Sequence, residues 1–164
     1  GDAILKCAKL LKGNYFLMLL PDDLIIKKNC SKEMISLFNK EKCSIIATKK
    51  VPRNTVSRWG ILTPFKKKKN YFQISNVVEK PSIRSAPSNY AIIGRYILSK
   101  KVINEIKLLK PGQGGEIHIT DAIRNLIFKG EKFYANIFRG KYLDCGTLNG
   151  YINSSSEILK IYKK

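Results

Sequence analysis

Three short segments of this sequence carry residues whose types and positions suit chemistry. Leu20-Pro21-Asp22-Asp23 closes an apolar run, and Tyr142-Leu143-Asp144-Cys145-Gly146 closes another. In open α/β sheets, ligands bind beyond the carboxyl ends of the strands. Aspartates there suit a divalent cation that also touches a phosphate, so a carboxylate from Asp22-Asp23 and that of Asp144, at two strand ends, suit one shared Mg²⁺. The third segment, Val77-Val78-Glu79-Lys80-Pro81, ends a strand-like run in an acid and a base. A lysine there neutralises a phosphate as a point charge, and a glutamate accepts hydrogen bonds from sugar hydroxyls. Each segment also has a plainer reading. Pro-Asp-Asp is a common turn, Asp144 fits an acid at a helix N-terminus, and Glu79-Lys80 fits a surface ion pair. Gly60 and Gly94 lie in β-like runs, where glycine marks a close approach of ligand or backbone.

Other motifs carry less. Cys7, Cys30, Cys43 and Cys145 show no two-residue spacing of a zinc or redox motif. Without a secretion signal they read as reduced thiols of a cytoplasmic protein. Cys145 has no evident base beside it and reads as a small buried residue. The stretch Pro111-Gly112-Gln113-Gly114-Gly115-Glu116 lacks the Gly-Lys-Ser/Thr ending of a phosphate loop.

The elements that must position these residues follow from periodicity. Ala3 to Leu11 has helical spacing and stops at Gly13-Asn14. Tyr15 to Leu20 reads as a strand buried on both faces of a parallel sheet. Ser31 is a candidate cap for a helix to about Lys42, with Met34, Ile35, Leu37 and Phe38 inward. Cys43 to Thr48 is a second strand. Helix, strand, helix, strand indicates a doubly wound α/β sheet. The middle is β-rich over Val56–Thr63, Tyr71–Glu79 and Tyr90–Leu98, with Lys66 to Lys69 at a solvated hairpin tip. Val102 to Leu109 is a helix, and Thr120 or Asp121 caps another to about Phe128. Glu131–Phe138 and Tyr142–Leu143 are strands. A final helix, Leu148 to Tyr162, turns Tyr151, Ile152, Ile158 and Ile161 inward.

The chain has 164 residues, with 31 Lys and Arg against 12 Asp and Glu, a formal net charge of +19. That charge invites a nucleic-acid reading. The basic residues argue against it: 25 are Lys and only 6 are Arg, alongside 22 Ile and 12 Asn. Compositional bias toward Lys, Ile and Asn explains this better than selection for phosphate, which favours the arginine fork. Apart from Lys66–Lys69 and Lys163–Lys164 the lysines are scattered. No apolar run approaches the ~20 residues that span a bilayer.

The order of the motifs is more specific than any one of them. Leu20-Pro21-Asp22-Asp23, Ser57-Arg58-Trp59-Gly60-Ile61, Val77 to Pro81 and Ala86 to Tyr96 resemble the bacterial UTP–glucose-1-phosphate uridylyltransferases, a branch of the sugar nucleotidyltransferases. So do Lys110-Pro111-Gly112 through Gly115-Glu116-Ile117, Thr120-Asp121-Ala122-Ile123, and Tyr142 to Gly146 with Gly150-Tyr151. The resemblance implies a Rossmann-like, three-layer αβα nucleotidyltransferase sheet with a small β-rich insertion. It implies metal aspartates at Asp22 and Asp144, a sugar-hydroxyl acceptor at Glu79 and a glucose-phosphate contact at Lys80. Gly60 and Gly94 would make close sugar contacts, with Tyr96, Glu116 and Thr120 as the pocket wall. Asp23 is not a metal ligand in that pattern. The implied reaction joins UTP and glucose 1-phosphate into UDP-glucose and pyrophosphate with Mg²⁺, in a cytoplasmic enzyme that is a homo-oligomer at full length. Asp22, Lys80 and Asp144 carry the chemistry by positioning and charge neutralisation.

One departure is large. The family's glycine-rich loop and the following Lys-Glu pair, which grip triphosphate and base, have no match here. Gly1-Asp2-Ala3 resembles the end of a Gly-Leu-Gly-His-Ala motif, with Asp2 in place of His. The expectation is a partial domain over residues 1–164, truncated at its N-terminus, with an exposed sheet edge and little activity alone. Three alternatives stay open: a thymidylyl- or adenylyltransferase of the same chemistry, a basic nucleic-acid-binding module with Tyr71-Phe72 beside the lysine run, and a non-catalytic remnant that keeps the fold but not the reaction.

Overall fold

In the computed structural model, residues 1–112 and 115–162 are described. Gln113 and Gly114 of the glycine-rich stretch, and the Lys163–Lys164 pair, lie outside them. In chain order the elements are α1 (Asp2–Cys7), β1 (Tyr15–Leu19), β2 (Asp23–Ile26), α2 (Cys30–Glu41), β3 (Ser44–Lys50), β4 (Gly60–Lys67), β5 (Tyr71–Glu79), β6 (Tyr90–Ser99), α3 (Lys101–Leu108), α4 (Ile119–Phe128), β7 (Phe133–Ile137), β8 (Lys141–Asp144) and α5 (Leu148–Tyr162). One sheet runs β1-β6-β3-β7-β5-β4, and a separate ribbon pairs β2 with β8. β3 and β7 are parallel, whereas β6 runs antiparallel to β1, β3 and β4. β1, β3 and β7 therefore point the same way, and β6 is the reversed strand between two of them.

Alternation along β3 and β6 creates the layers. Ile46, Ile92, Tyr96 and Leu98 face a core shared with Val102 and Ile106 of α3 and Ala122, Ile123 and Leu126 of α4. Ile4 and Leu5 of α1 pack against that same core. Ile45, Ala47, Ile93 and Ile97 face the other way, onto Cys30, Met34 and Leu37 of α2. Two-sided burial of this kind makes the central strands continuous apolar runs. Each fully buried Ile or Leu contributes roughly 1.5–3 kcal/mol. The result is the expected three-layer αβα arrangement, with a β4–β5 hairpin extending it.

Several local expectations are corrected. β1 is not buried on both faces: it lies at the sheet edge, paired with β6 alone, and Leu17 is 43% and Leu19 49% exposed. A run of apolar residues reports polarity, not the number of neighbouring strands. The cap of α2 is Asn29 rather than Ser31, its side chain accepting from the Lys32 N–H at 2.9 Å. Ile35 of α2 is exposed. Val56 belongs to a 3₁₀ helix, Arg53–Arg58, and β4 begins only at Gly60. β4 runs through Pro64 to Lys67 with register shifts at Thr63/Pro64 and Phe65/Lys67, which the missing proline donor helps to cause. Tyr151, Ile152 and Ile161 of α5 are exposed, because α5 packs on little beyond β8.

Gly94 sits where β6 passes under the turn after β1. A Cβ there would lie 2.6 Å from both Cβ and Cγ of Leu20, closer than packed atoms tolerate. Gly94→Ala is expected to destabilise the fold by roughly 1–3 kcal/mol through overpacking. Urea unfolding followed by circular dichroism measures it, and an unchanged midpoint would refute this account of the glycine.

Candidate active site

A cavity of about 600 Å³ opens where the 3₁₀ helix, β4, β5, β6, α4 and the β2–β8 ribbon meet. All nine residues singled out from the sequence line it: Asp22, Gly60, Glu79, Lys80, Gly94, Tyr96, Glu116, Thr120 and Asp144. It also contains Asp23, Arg58, Trp59 and Tyr142.

The β2–β8 ribbon brings the two expected metal aspartates together. Its register sets Asp23 opposite Asp144, and the Cys145 N–H donates to the Asp22 carbonyl at 2.8 Å. Asp22 lies in the turn just before β2, so its side chain emerges beside the end of β8. Gly146 holds the space between the carboxylates. A Cβ there would lie 2.8 Å from Asp22 Oδ2 and 3.4 Å from Asp144 Oδ1. The Gly146 N–H donates to Asp144 Oδ1 at 3.0 Å, and Arg58 Nη2 lies 3.2 Å from Asp144 Oδ2. Among the described residues no group of three His, Cys, Asp or Glu side chains forms a complete metal cage. Two carboxylates around a gap kept open by glycine do fit Mg²⁺, which takes one or two protein carboxylates and completes its shell with phosphate and water.

Asp23 has a different part. It is buried, and its carboxylate accepts from the Gly94 N–H at 2.7 Å and from the Tyr142 hydroxyl. Arg95 donates to the Asp23 and Leu20 carbonyls. Burial pushes the Asp23 carboxyl up from its ordinary range, against the lowering effect of those two hydrogen bonds. Tyr142 in turn meets Trp59 edge to face, ring centroids 5.8 Å apart. The sequence reading set Asp23 aside for want of a metal role. The missed signal was an acid at the start of a short strand whose partner strand supplies a tyrosine.

The opposite wall holds Glu79. Gly60 pairs with it across β4 and β5, and a Cβ on Gly60 would lie 3.0 Å from Thr120 Cγ2 and 3.1 Å from Glu79 Oε2. Thr120 is not the cap of α4, which His118 precedes without a side-chain cap bond. Instead Thr120 Oγ1 donates to Glu79 Oε2 at 2.9 Å, so the hydroxyl aims the carboxylate into the cavity. Glu79 thus pairs with a hydroxyl rather than with Lys80. Lys80 has a left-handed backbone, φ 41°, and its N–H donates to the Trp59 carbonyl at 3.0 Å. That conformation costs a lysine roughly 1 kcal/mol and turns the chain away from the strand line. The Lys80 side chain is exposed and makes no ion pair among the described residues. Tyr96 forms part of the floor. Burial, with the Glu79 and Asp23 charges adding, pushes its hydroxyl up, so it stays protonated as a donor. Glu116 is exposed at the rim. Cys145 is half-buried rather than buried, and all four cysteines are free thiols.

The chain belongs to the nucleotidyl transferase family, whose pattern it matches over residues 1–161. Within that family it is similar to the UTP–glucose-1-phosphate uridylyltransferase of Pseudomonas aeruginosa, at 38% identity over 95% of this chain and 57% of that protein. It is equally similar to a putative UTP–glucose-1-phosphate uridylyltransferase of Methanocaldococcus jannaschii, 38% identical over 96% of this chain and 55% of that protein. A crystal structure of a UDP-glucose pyrophosphorylase complexed with UDP-glucose superposes with a TM-score of 0.91 and 38% identity, covering 96% of this chain and 61% of that one. The chain therefore spans little more than half the length of the relatives it matches.

Tyr142→Phe removes one of the two hydrogen bonds that satisfy the buried Asp23 carboxylate. It is expected to cost about 1–3 kcal/mol of stability, measured by guanidinium unfolding at neutral pH. A loss well below that range would show that Tyr142 contributes through its ring alone.

Proposed function

We propose that this chain is the sugar- and metal-binding part of a UTP–glucose-1-phosphate uridylyltransferase, which makes UDP-glucose and pyrophosphate from UTP and glucose 1-phosphate. The observation that carries the reading is the meeting of Asp22, Asp144, Lys80 and the Glu79–Thr120 pair around one cavity, in a chain 38% identical to enzymes of that name.

In this reading Glu79, aimed by Thr120 and given room by Gly60, accepts hydrogen bonds from glucose hydroxyls. Tyr96 donates from the floor, Gly94 lets the sugar approach the backbone, and Glu116 closes the rim. Lys80, in no ion pair among the described residues, takes the phosphate of glucose 1-phosphate. Asp22 and Asp144 would hold Mg²⁺, which when bound supplies positive charge to the phosphates. An oxygen of glucose 1-phosphate attacks the α-phosphorus of UTP and pyrophosphate departs. No covalent nucleophile on the protein is needed, so positioning and charge neutralisation supply the rate. Four free thiols agree with a cytoplasmic setting, and a homo-oligomer at full length completes the reading. No helix among the described residues is long and apolar enough to cross a membrane.

Calorimetric titration of the chain with UDP-glucose in Mg²⁺ tests the site. Binding is expected, lost alike in Asp22→Ala and Asp144→Ala, and weakened about tenfold or more by Lys80→Met, the worth of one charge-assisted hydrogen bond. Binding unaffected by either aspartate would sink the assignment. A coupled assay for pyrophosphate is expected to show little synthesis by these 164 residues alone, because no glycine-rich triphosphate loop is among them. A rate matching a full-length relative would overturn that expectation.

A further inference from the structure

We propose that Arg58 is the built-in counter-ion of the carboxylate pair, ceding Asp144 to a divalent cation and turning to the substrate phosphate as that cation binds. The inference rests on Asp22 and Asp144 being the cation's ligands, and adds to that reading how the site is held when it is empty and how its two ligands assist each other.

The oxygens of Asp144 are already allotted. Oδ1, the oxygen beside the gap at Gly146, already accepts from the Gly146 N–H at 3.0 Å, and Arg58 Nη2 lies 3.2 Å from Oδ2. The Asp22 carboxylate, across the gap at Gly146, has no ion pair among the described residues. A divalent cation bridging the two aspartates therefore meets a guanidinium on one ligand and none on the other. Two cations drawn to one carboxylate repel each other, so Arg58 and the divalent cation compete.

Arg58 is built to let go. The contact is single rather than bidentate, and the Arg58 side chain is 56% exposed, the kind of pair that solvent and salt weaken. Its backbone, by contrast, is fixed. The 3₁₀ helix that ends in Arg58 is anchored by Arg53, whose Nη1 and Nη2 donate to the Ser88 and Ala86 carbonyls at 3.2 and 2.8 Å, and by the fully buried Val56. A long side chain on a rigid base can swing between two partners without moving the fold. The second partner is near. Trp59, next in sequence, accepts the Lys80 N–H at 3.0 Å, so Arg58 and Lys80 rise from adjoining strand ends on one wall of the cavity. A phosphate beside Lys80 offers the guanidinium fork a pair of oxygens, a better match than one carboxylate oxygen at the rim. Cation and phosphate then help each other through Arg58: each favours the state in which the arginine has left Asp144, and linkage makes that help reciprocal.

Mn²⁺ titration of the full chain, read by the loss of the free-ion paramagnetic resonance signal, tests this without an activity assay. Arg58→Met is expected to bind Mn²⁺ alone on the order of threefold more tightly than the unaltered chain, the weight of an exposed ion pair. Arg58→Lys, which keeps the charge, is expected to leave the affinity near that of the unaltered chain. Saturating glucose 1-phosphate is expected to tighten Mn²⁺ binding more in the unaltered chain than in Arg58→Met. Unchanged or weaker Mn²⁺ affinity in Arg58→Met overturns the inference, as does an equal response to glucose 1-phosphate. Asp144→Asn distinguishes the two levels. Mn²⁺ binding that survives it removes the underlying metal site, whereas binding that is lost with it but indifferent to Arg58 removes only the role of the arginine.

Discussion

Everything at the site depends on one buried carboxylate. Asp23 accepts the Gly94 N–H from the reversed strand β6 and the Tyr142 hydroxyl from β8, while Arg95 of β6 grips the carbonyls of Leu20 and Asp23. Three segments distant in sequence are thus tied at one point. A buried acid without partners is costly, so the fold is committed to keeping all of them in place. The consequence is registration. With Asp23 fixed, Asp22 must project one residue earlier, and the pairing of Asp23 with Asp144 brings the end of β8 alongside. The residue that touches no substrate in the proposed chemistry is the one that sets the distance between the two proposed as cation ligands.

The adjoining aspartates divide the work by burial. Asp22 is exposed in its turn and keeps its carboxylate available, whereas Asp23 is sealed between strands and spends its oxygens on the protein. Gly94 belongs to this division. Its missing side chain gives Asp23 and Leu20 room on β6, so the glycine is required by the protein before any sugar is considered. Gly60 has the parallel duty on the other wall, leaving space for Thr120 and Glu79. Both glycines that a strand pattern flags as unusual are places where the backbone yields to a carboxylate.

What the sequence made legible follows the same physics. β3 and β6 read correctly because their side chains are apolar on both faces and the sheet buries both. β1 has the same composition and misleads, since its second side has no strand among the described residues. Tyr151, Ile152 and Ile161 have helical spacing in α5, yet spacing shows only that they share a face, not that anything covers it. Of the nine singled-out residues that line the cavity, Asp22, Gly60, Glu79, Lys80 and Asp144 stand at strand ends, whereas Gly94 and Tyr96 come from within β6, Thr120 from the first turn of α4 and Glu116 from the segment before it. Asp23, Tyr142 and Arg58 were not singled out because their roles are set by partners 71 or more residues away, which no local pattern encodes. Thr120, read both as a candidate cap alongside Asp121 and as pocket wall, caps nothing and stands in the wall beside Glu79.

The charge of the chain takes its meaning from this geometry. Of the 12 acidic residues in the sequence, Asp22, Asp23, Glu79, Glu116 and Asp144 line one cavity, which holds only Arg58 and Lys80 of the 31 Lys and Arg. The lysine-rich surface offers an anion a favourable field at long range, damped beyond roughly 8–10 Å in physiological salt. Inside that distance the carboxylates reverse the sign. A phosphate entering alone meets a cavity with more acids than bases. In the proposed site, a divalent cation between Asp22 and Asp144 offsets the charge of those two acids, and Arg58 freed from Asp144 faces the phosphate unpaired. On that reading the acidic cavity favours an anion that arrives with a metal ion over one that arrives alone. The phosphates of a nucleic acid bind to lysine and arginine over an extended face, whereas five carboxylates of this chain converge on one cavity.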